Sequence, residues 1–335
     1  MTGVAMNGLN LLVATLLAAG VCGAAPLRNG AVWYDTNGYP INAHAGSVVN
    51  VKGRYWWYGE HKVYGKAGNK SHVGLHAYSS DDLVTWTDEG VVFAMAEDPT
   101  VPETDGCVFE EAKVIYRPEV DQLIMFSHLE PKGHGYNDGL TLISRANKPN
   151  EMFRRMRILN PFGRISRDMN VFTDDDGKHY HVYASTWNNR TMYIDQLTED
   201  CKDYTGVSYK ALEEEMCEAP MLLKHNGWYF MVCSKCTGWK PNTARLYRAK
   251  TLAGPWEYLG NPCTGGENPV TKMGPDKTWG GQSCSFIKIA DGKYVAMFDV
   301  WNPDNQLDSR YLFLPVVLKG DALEIPWCDM FEGLK

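Results

Sequence analysis

Four polar side chains stand at nearly the same distance ahead of a turn glycine. His44 precedes Gly53 by nine residues, Asp168 precedes Gly177 by nine, Glu218 precedes Gly227 by nine and Gln282 precedes Gly292 by ten. The offset recurs while the residue type changes, the pattern expected of different chemical groups delivered to one place rather than of a structural repeat, which tends to keep its residue. Two carboxyl groups in such a place can divide labour. Burial and like-charge repulsion keep one protonated as a general acid while the other stays ionised. That division suits cleavage of a glycosidic bond, in which the leaving oxygen needs a proton and a water on the opposite face needs activation. Glu218, followed by apolar Ala219 and Pro220, is the expected acid, and Asp168 the expected ionised neighbour that holds it protonated. Strand alternation is expected to turn Arg167 to the face opposite Asp168.

Repeated hairpins are the elements that must position these groups. The turns Lys52-Gly53, Asp176-Gly177, Asn226-Gly227 and Asp291-Gly292 are each followed by an aromatic or β-branched run such as Tyr55-Trp56-Trp57-Tyr58 or Trp228-Tyr229-Phe230-Met231-Val232. Glycines 53 and 177 lie 124 residues apart, and the segment 110–126 fills the gap with two more strand-like runs around a turn at 117–121. Five units of about sixty residues predict an all-β, five-bladed β-propeller. The first strand of each blade lines the central channel in that architecture, so His44, Glu110, Asp168, Glu218 and Gln282 are expected to converge. Pairing of residues 31–34 with the last blade is expected to close the ring and cover its edge.

Composition narrows the partners. With 12% aromatic residues, 22% charged residues, a net charge of -7 and no basic stripe, a nucleic-acid partner is not expected, and an oligo- or polysaccharide is. The run at residues 9–21, ending at Cys22-Gly23-Ala24, reads as part of a signal peptide over residues 1–25, which implies a secreted or periplasmic protein. It is too short to span a bilayer, and no later run approaches that length. Residues 26–335 are expected to form a single domain. Eight of the nine cysteines follow the leader; they permit disulfides without assigning any pairing, and buried small hydrophobes is the preferred reading. Cys233-Ser234-Lys235-Cys236 stands without a second such pair, and neither a metal nor another cofactor is expected.

The order and spacing of several short stretches carry a family resemblance. They are Ala43-His44-Ala45-Gly46, residues 55–60, 78–86 and 113–116, Ser166-Arg167-Asp168-Met169, Glu218-Ala219-Pro220, Cys236-Thr237-Gly238-Trp239, Gly281-Gln282-Ser283 and Asp308-Ser309-Arg310-Tyr311. The chain resembles family 43 of the glycoside hydrolases, most of all its exo-acting β-1,3-galactosidases, from about residue 41 to 327. The resemblance implies inversion, with Glu218 as general acid, Asp168 as its modulator, and Gln282 near the attacking water, either as an imidic acid base or as a positioning group. Glu60, Glu110, His44, Thr237, Gly238, Trp239 and Arg310 are implied at the sugar, with Arg310 placed to pair with Glu218 or Asp168. The chain departs from the family twice. Ala45 stands where most members have a catalytic Asp, and Glu111 where the galactosidase branch has Arg. The alternatives are an α-L-arabinofuranosidase or β-xylosidase of the same family, and a sugar-binding propeller without catalysis.

Overall fold

The computed structural model describes residues 25–186 and 189–334, so the expected signal peptide lies outside the described residues apart from Ala25. A two-residue strand β1 (Leu27–Arg28) precedes four consecutive four-stranded antiparallel sheets. The first holds β2 (His44–Val51), β3 (Arg54–His61), β4 (Gly74–Ser80) and β5 (Thr87–Ala94). Next come β6 (Val108–Arg117), β7 (Gln122–Glu130), β8 (Leu140–Ala146) and β9 (Arg154–Leu159). The third sheet is β10 (Met169–Thr173), β11 (His179–Ser185), β12 (Thr191–Leu197) and β13 (Tyr204–Leu212). The fourth is β14 (Cys217–His225), β15 (Trp228–Lys235), β16 (Arg245–Ala249) and β17 (Glu257–Gly260). After β18 (Cys263–Thr264) a three-stranded sheet follows: β19 (Gln282–Ala290), β20 (Lys293–Val300) and β21 (Arg310–Pro315). The chain ends in β22 (Val317–Lys319), β23 (Ala322–Pro326) and β24 (Met330–Phe331).

This is an all-β propeller, and the expected number of blades needs correction. A further sheet, ordered β18-β23-β22, brings the sheets of three or four strands to six among the described residues, where five blades were expected. Its strands are two to five residues long: β22 and β23 form a short hairpin around Gly320, and β18 pairs with β23 in parallel across more than sixty residues of chain, a link that no local pattern announces. The innermost strands β2, β6, β10, β14 and β19 adjoin one another around the channel. Polar side chains tie them together where no ladder can run. Asn170 on β10 donates to Pro220 O at 2.9 Å and Cys284 O at 3.0 Å, Ser283 on β19 donates to Ala219 O at 2.6 Å, and Ser47 on β2 accepts from Val114 N at 2.8 Å. All these groups are buried, and a buried polar atom left without a partner costs about 1–3 kcal/mol, so the bonds fix the spacing of the strands.

Three of the inner strands share a bulge at the residues singled out by sequence. Register slips between His44 and Ser47 against β3, between Glu110 and Lys113 against β7, and between Glu218 and Met221 against β15. In each the residue after the first has a left-handed backbone: φ is 46° at Ala45, 57° at Glu111 and 51° at Ala219. An extra residue there bends the strand and re-aims its side chains, at a cost of about 1–3 kcal/mol for a non-glycine in that region. The bulge decides which of two adjacent residues at a strand start faces the channel.

Ring closure also differs from expectation. The strand that pairs with the chain's end is β1, with Leu27 opposite Phe331 and Arg28 opposite Met330, and not residues 31–34. Ala31 N bonds back to Arg28 O at 3.2 Å, a turn that ends the strand before residue 31. Trp33 serves the closure by packing instead. Its ring lies 4.9 Å from Phe313, 5.7 Å from Tyr311 and 6.3 Å from Trp57, and its N–H donates to Arg28 O at 2.7 Å. Trp33→Ala is therefore expected to lower the unfolding free energy in urea by about 3–5 kcal/mol. A loss under about 1 kcal/mol would show that the indole is not part of the closing core.

Candidate active site

A cavity of about 550 Å³ opens at the end of the channel where the inner strands begin. Of the residues expected at the site, Glu60, Glu110, Asp168, Glu218, Gly238, Trp239 and Gln282 line it together. The hairpins place them there. Glu110, Glu218 and Gln282 come from the starts of β6, β14 and β19, Asp168 immediately precedes β10, and Glu60 sits near the end of β3 opposite His44.

Glu218 is the centre of the arrangement. Its Oε1 accepts from Gln282 Nε2 at 3.2 Å and its Oε2 from Asn189 Nδ2 at 3.3 Å. Burial, then the nearby charge of Asp168, pushes its carboxyl up to about 8. Burial and then Glu110 lift Asp168 less far, to about 6. Two neighbouring carboxyls share these protons, and between about pH 6 and 8 the pair holds one, mainly on Glu218. Gln282 is fixed on every side: its Nε2 also reaches Ser234 Oγ at 3.2 Å, and its Oε1 accepts from Trp301 Nε1 at 2.9 Å.

The other carboxylates are clamped. Glu110 bonds His128 Nδ1 at 2.7 Å and accepts from Tyr136 Oη at 3.1 Å. His128 reaches Glu130 on its other side at 3.0 Å; burial works against its charge, but the two carboxylates push it up to about 9. Glu60 accepts from Glu111 N at 2.8 Å and pairs with Lys62, whose ammonium lies 5.4 Å from the Trp301 ring centre. Burial still raises Glu60 above the ordinary carboxylate value.

Three expected residues stand apart from the cavity wall. His44 is fully buried behind it, stacked on Tyr311 at 4.9 Å with Nε2 3.2 Å from the phenol oxygen. Burial, against the pull of Asp299, holds its imidazole below the usual value. Thr237 spends its hydroxyl on Lys240 O at 2.6 Å and accepts from Asn242 at 2.7 Å. Arg310 does not pair with Glu218 or Asp168: at the start of β21, its guanidinium is taken by Asp308 two residues before it and by Ser309 O at 3.1 Å. Arg167 departs from expectation the other way. It shares the cavity wall with Asp168, because both precede the first residue of β10 and strand alternation does not reach them. Its guanidinium Nη2 donates to Tyr136 O at 2.7 Å.

Sequence reasoning missed Tyr136, Asn189, Trp301 and the 67–70 loop, all of which line the cavity. Loop residues carry no repeat to betray them, whereas Trp301 follows the last residue of β20 and was within reach of a search from strand ends. Trp239 is 39% exposed and meets Trp301 edge-on at 5.6 Å, which places an indole at the rim. All eight cysteines among the described residues are free thiols.

The family model described as Glycosyl hydrolases family 43 matches residues 39–314. The chain belongs to this family. A solved family 43 β-1,3-galactosidase in complex with galactodeoxynojirimycin is similar to it, with 34% identity, a TM-score of 0.84, and coverage of 90% of this chain and 99% of that one. The exo-β-1,3-galactanase of Phanerochaete chrysosporium, solved with galactose, is 27% identical with a TM-score of 0.79, covering 91% and 68% respectively. The β-D-galactofuranosidase of Aspergillus niger is 25% identical over 294 residues, 84% of this chain and 81% of its own length. As a family 43 member the protein is a glycosidase, and its cavity presents the carboxyl groups that such hydrolysis uses.

Proposed function

We propose that this glycosidase is an exo-acting, inverting β-1,3-galactosidase that releases galactose from β-1,3-galactan or plant arabinogalactan backbones. The observation that carries the proposal is Glu218, a carboxyl lifted to about 8 beside Asp168, in a chain 34% identical to a β-1,3-galactosidase over nearly the whole of both. Glu218 protonates the leaving oxygen and Asp168 sustains its proton. Gln282 orients the acid and the water near it. Glu60 and Glu110 accept sugar hydroxyls, an arrangement suited to the axial O4 of galactose, and Trp239 offers a face for the next sugar. The apolar run at 9–21 supports export to the periplasm or the medium.

The test is galactose release from linear β-1,3-galacto-oligosaccharides, with the product followed by proton NMR. Galactose is expected one unit at a time from the non-reducing end, first as the α-anomer. Initial β-anomer would overturn inversion. Cleavage of arabinofuranosides or xylosides in place of galactosides would overturn the substrate, and binding of galactosides with no turnover would overturn catalysis.

A further inference from the structure

A side-chain amide has two ends of nearly the same shape and opposite chemistry: its oxygen accepts hydrogen bonds and its nitrogen donates them. Which end of Gln282 meets the acid is therefore decided by its neighbours. Two of the three are indifferent. Ser234 Oγ and Glu218 Oε1 each lie 3.2 Å from Gln282 Nε2, but a hydroxyl both donates and accepts, and so does a protonated carboxyl. Trp301 is the exception. Its Nε1 donates to Gln282 Oε1 at 2.9 Å, and an indole N–H has no second role. Turning the amide over would set donor against donor and leave both unsatisfied.

The indole is itself held in place. Trp301 follows the last residue of β20, two residues beyond Asp299, which is the partner of Gln282 across β19 and β20. Its ring meets Trp239 edge-on at 5.6 Å and lies 5.8 Å from the His44 ring and 5.4 Å from Lys62 Nζ. A rim aromatic, a buried histidine and a buried cation thus fix the one neighbour that tells the two ends of the amide apart.

We propose that Trp301 is a positioning residue that acts through Gln282, holding the amide with its nitrogen towards Glu218. The inference rests on the galactosidase reading above. With Nε2 donating to Glu218 Oε1, that oxygen is an acceptor and the acidic proton is carried on Oε2, free of Gln282. A reversed amide would accept that proton on its own oxygen and hold it away from the leaving group. The imidic acid form of Gln282 keeps the same contact, since its hydroxyl oxygen still accepts from the indole.

The experiment compares wild type with Trp301→Phe and Gln282→Ala. Phenylalanine keeps a ring beside Trp239, His44 and Lys62 and removes the N–H donor. On β-1,3-galactobiose Trp301→Phe is expected to lower kcat on the order of 10- to 10²-fold, with KM and the affinity for galactodeoxynojirimycin changed little. Its alkaline limb is expected to move up by roughly half a unit to one unit, because an amide oxygen turned towards Glu218 accepts from the protonated carboxyl and favours that form. Asp168, Glu110 and the Cys236 thiol face Glu218 in both proteins, so the shift reports on Gln282. In proton–nitrogen NMR, the indole signal absent from Trp301→Phe is expected to move upfield in Gln282→Ala. An unchanged kcat, a loss carried by KM or by inhibitor affinity, an alkaline limb that stays in place, or an indole signal that does not move would each overturn the role. Wild type that releases no galactose would overturn the galactosidase reading instead, and the indole signal then decides the contact by itself.

Discussion

Glu218→Gln loses activity on β-1,3-galactobiose on the order of 10²- to 10⁴-fold in kcat, with KM nearly unchanged. The amide keeps the shape and one oxygen that accepts from either Asn189 or Gln282, so the sugar still binds, but it has no acidic proton for the leaving oxygen. A leaving group that departs without protonation relieves the defect. The same variant is expected to lose far less on 4-nitrophenyl β-galactoside, and steady-state kinetics on both substrates check this. An equal loss on the two would remove Glu218 from the role of acid and leave it a binding residue.

The second large effect is on pH dependence. Glu218 works protonated and its carboxyl sits at about 8, so wild-type kcat is expected to fall as pH rises through about 8. Asp168 contributes to that elevation by like-charge repulsion, after burial. Asp168→Asn removes a negative neighbour, so the Glu218 value drops and the alkaline limb moves to lower pH, on the order of one unit. Activity at pH 7.5 then falls more than activity at pH 5.5. A pH–rate profile from 5 to 10 measures the shift; an alkaline limb that stays in place, or moves upward, would show that Asp168 acts in some other way.

The convergence of Asp168, Glu218 and Gln282 was legible because a fixed offset from a turn residue survives any change of side chain, and that of Glu110 because the segment 110–126 filled the gap between two such units. The same offset placed His44 at the cavity, and there the bulge intervened: it faces Ala45 to the cavity and buries His44 against Tyr311. Bulges insert one residue into a pattern of period two, and nothing in residue type announced Ala45 or Ala219 as left-handed. Arg310 failed for a different reason, since a local carboxylate two residues away wins a flexible guanidinium from partners across a channel. The sixth sheet escaped because its strands are short and its parallel partner β18 lies some sixty residues away from the β22–β23 hairpin it joins.

Those bulges carry a consequence for how this molecule can change. The kink belongs to the main chain, and it recurs at 44–47, 110–113 and 218–221 with different side chains mounted on it. Ala45 lines the cavity at the first, Glu110 and Glu111 at the second, and Glu218 at the third. The kink decides which of two adjacent residues the cavity meets, so an exchange at one of these positions changes the lining while the main chain keeps its course.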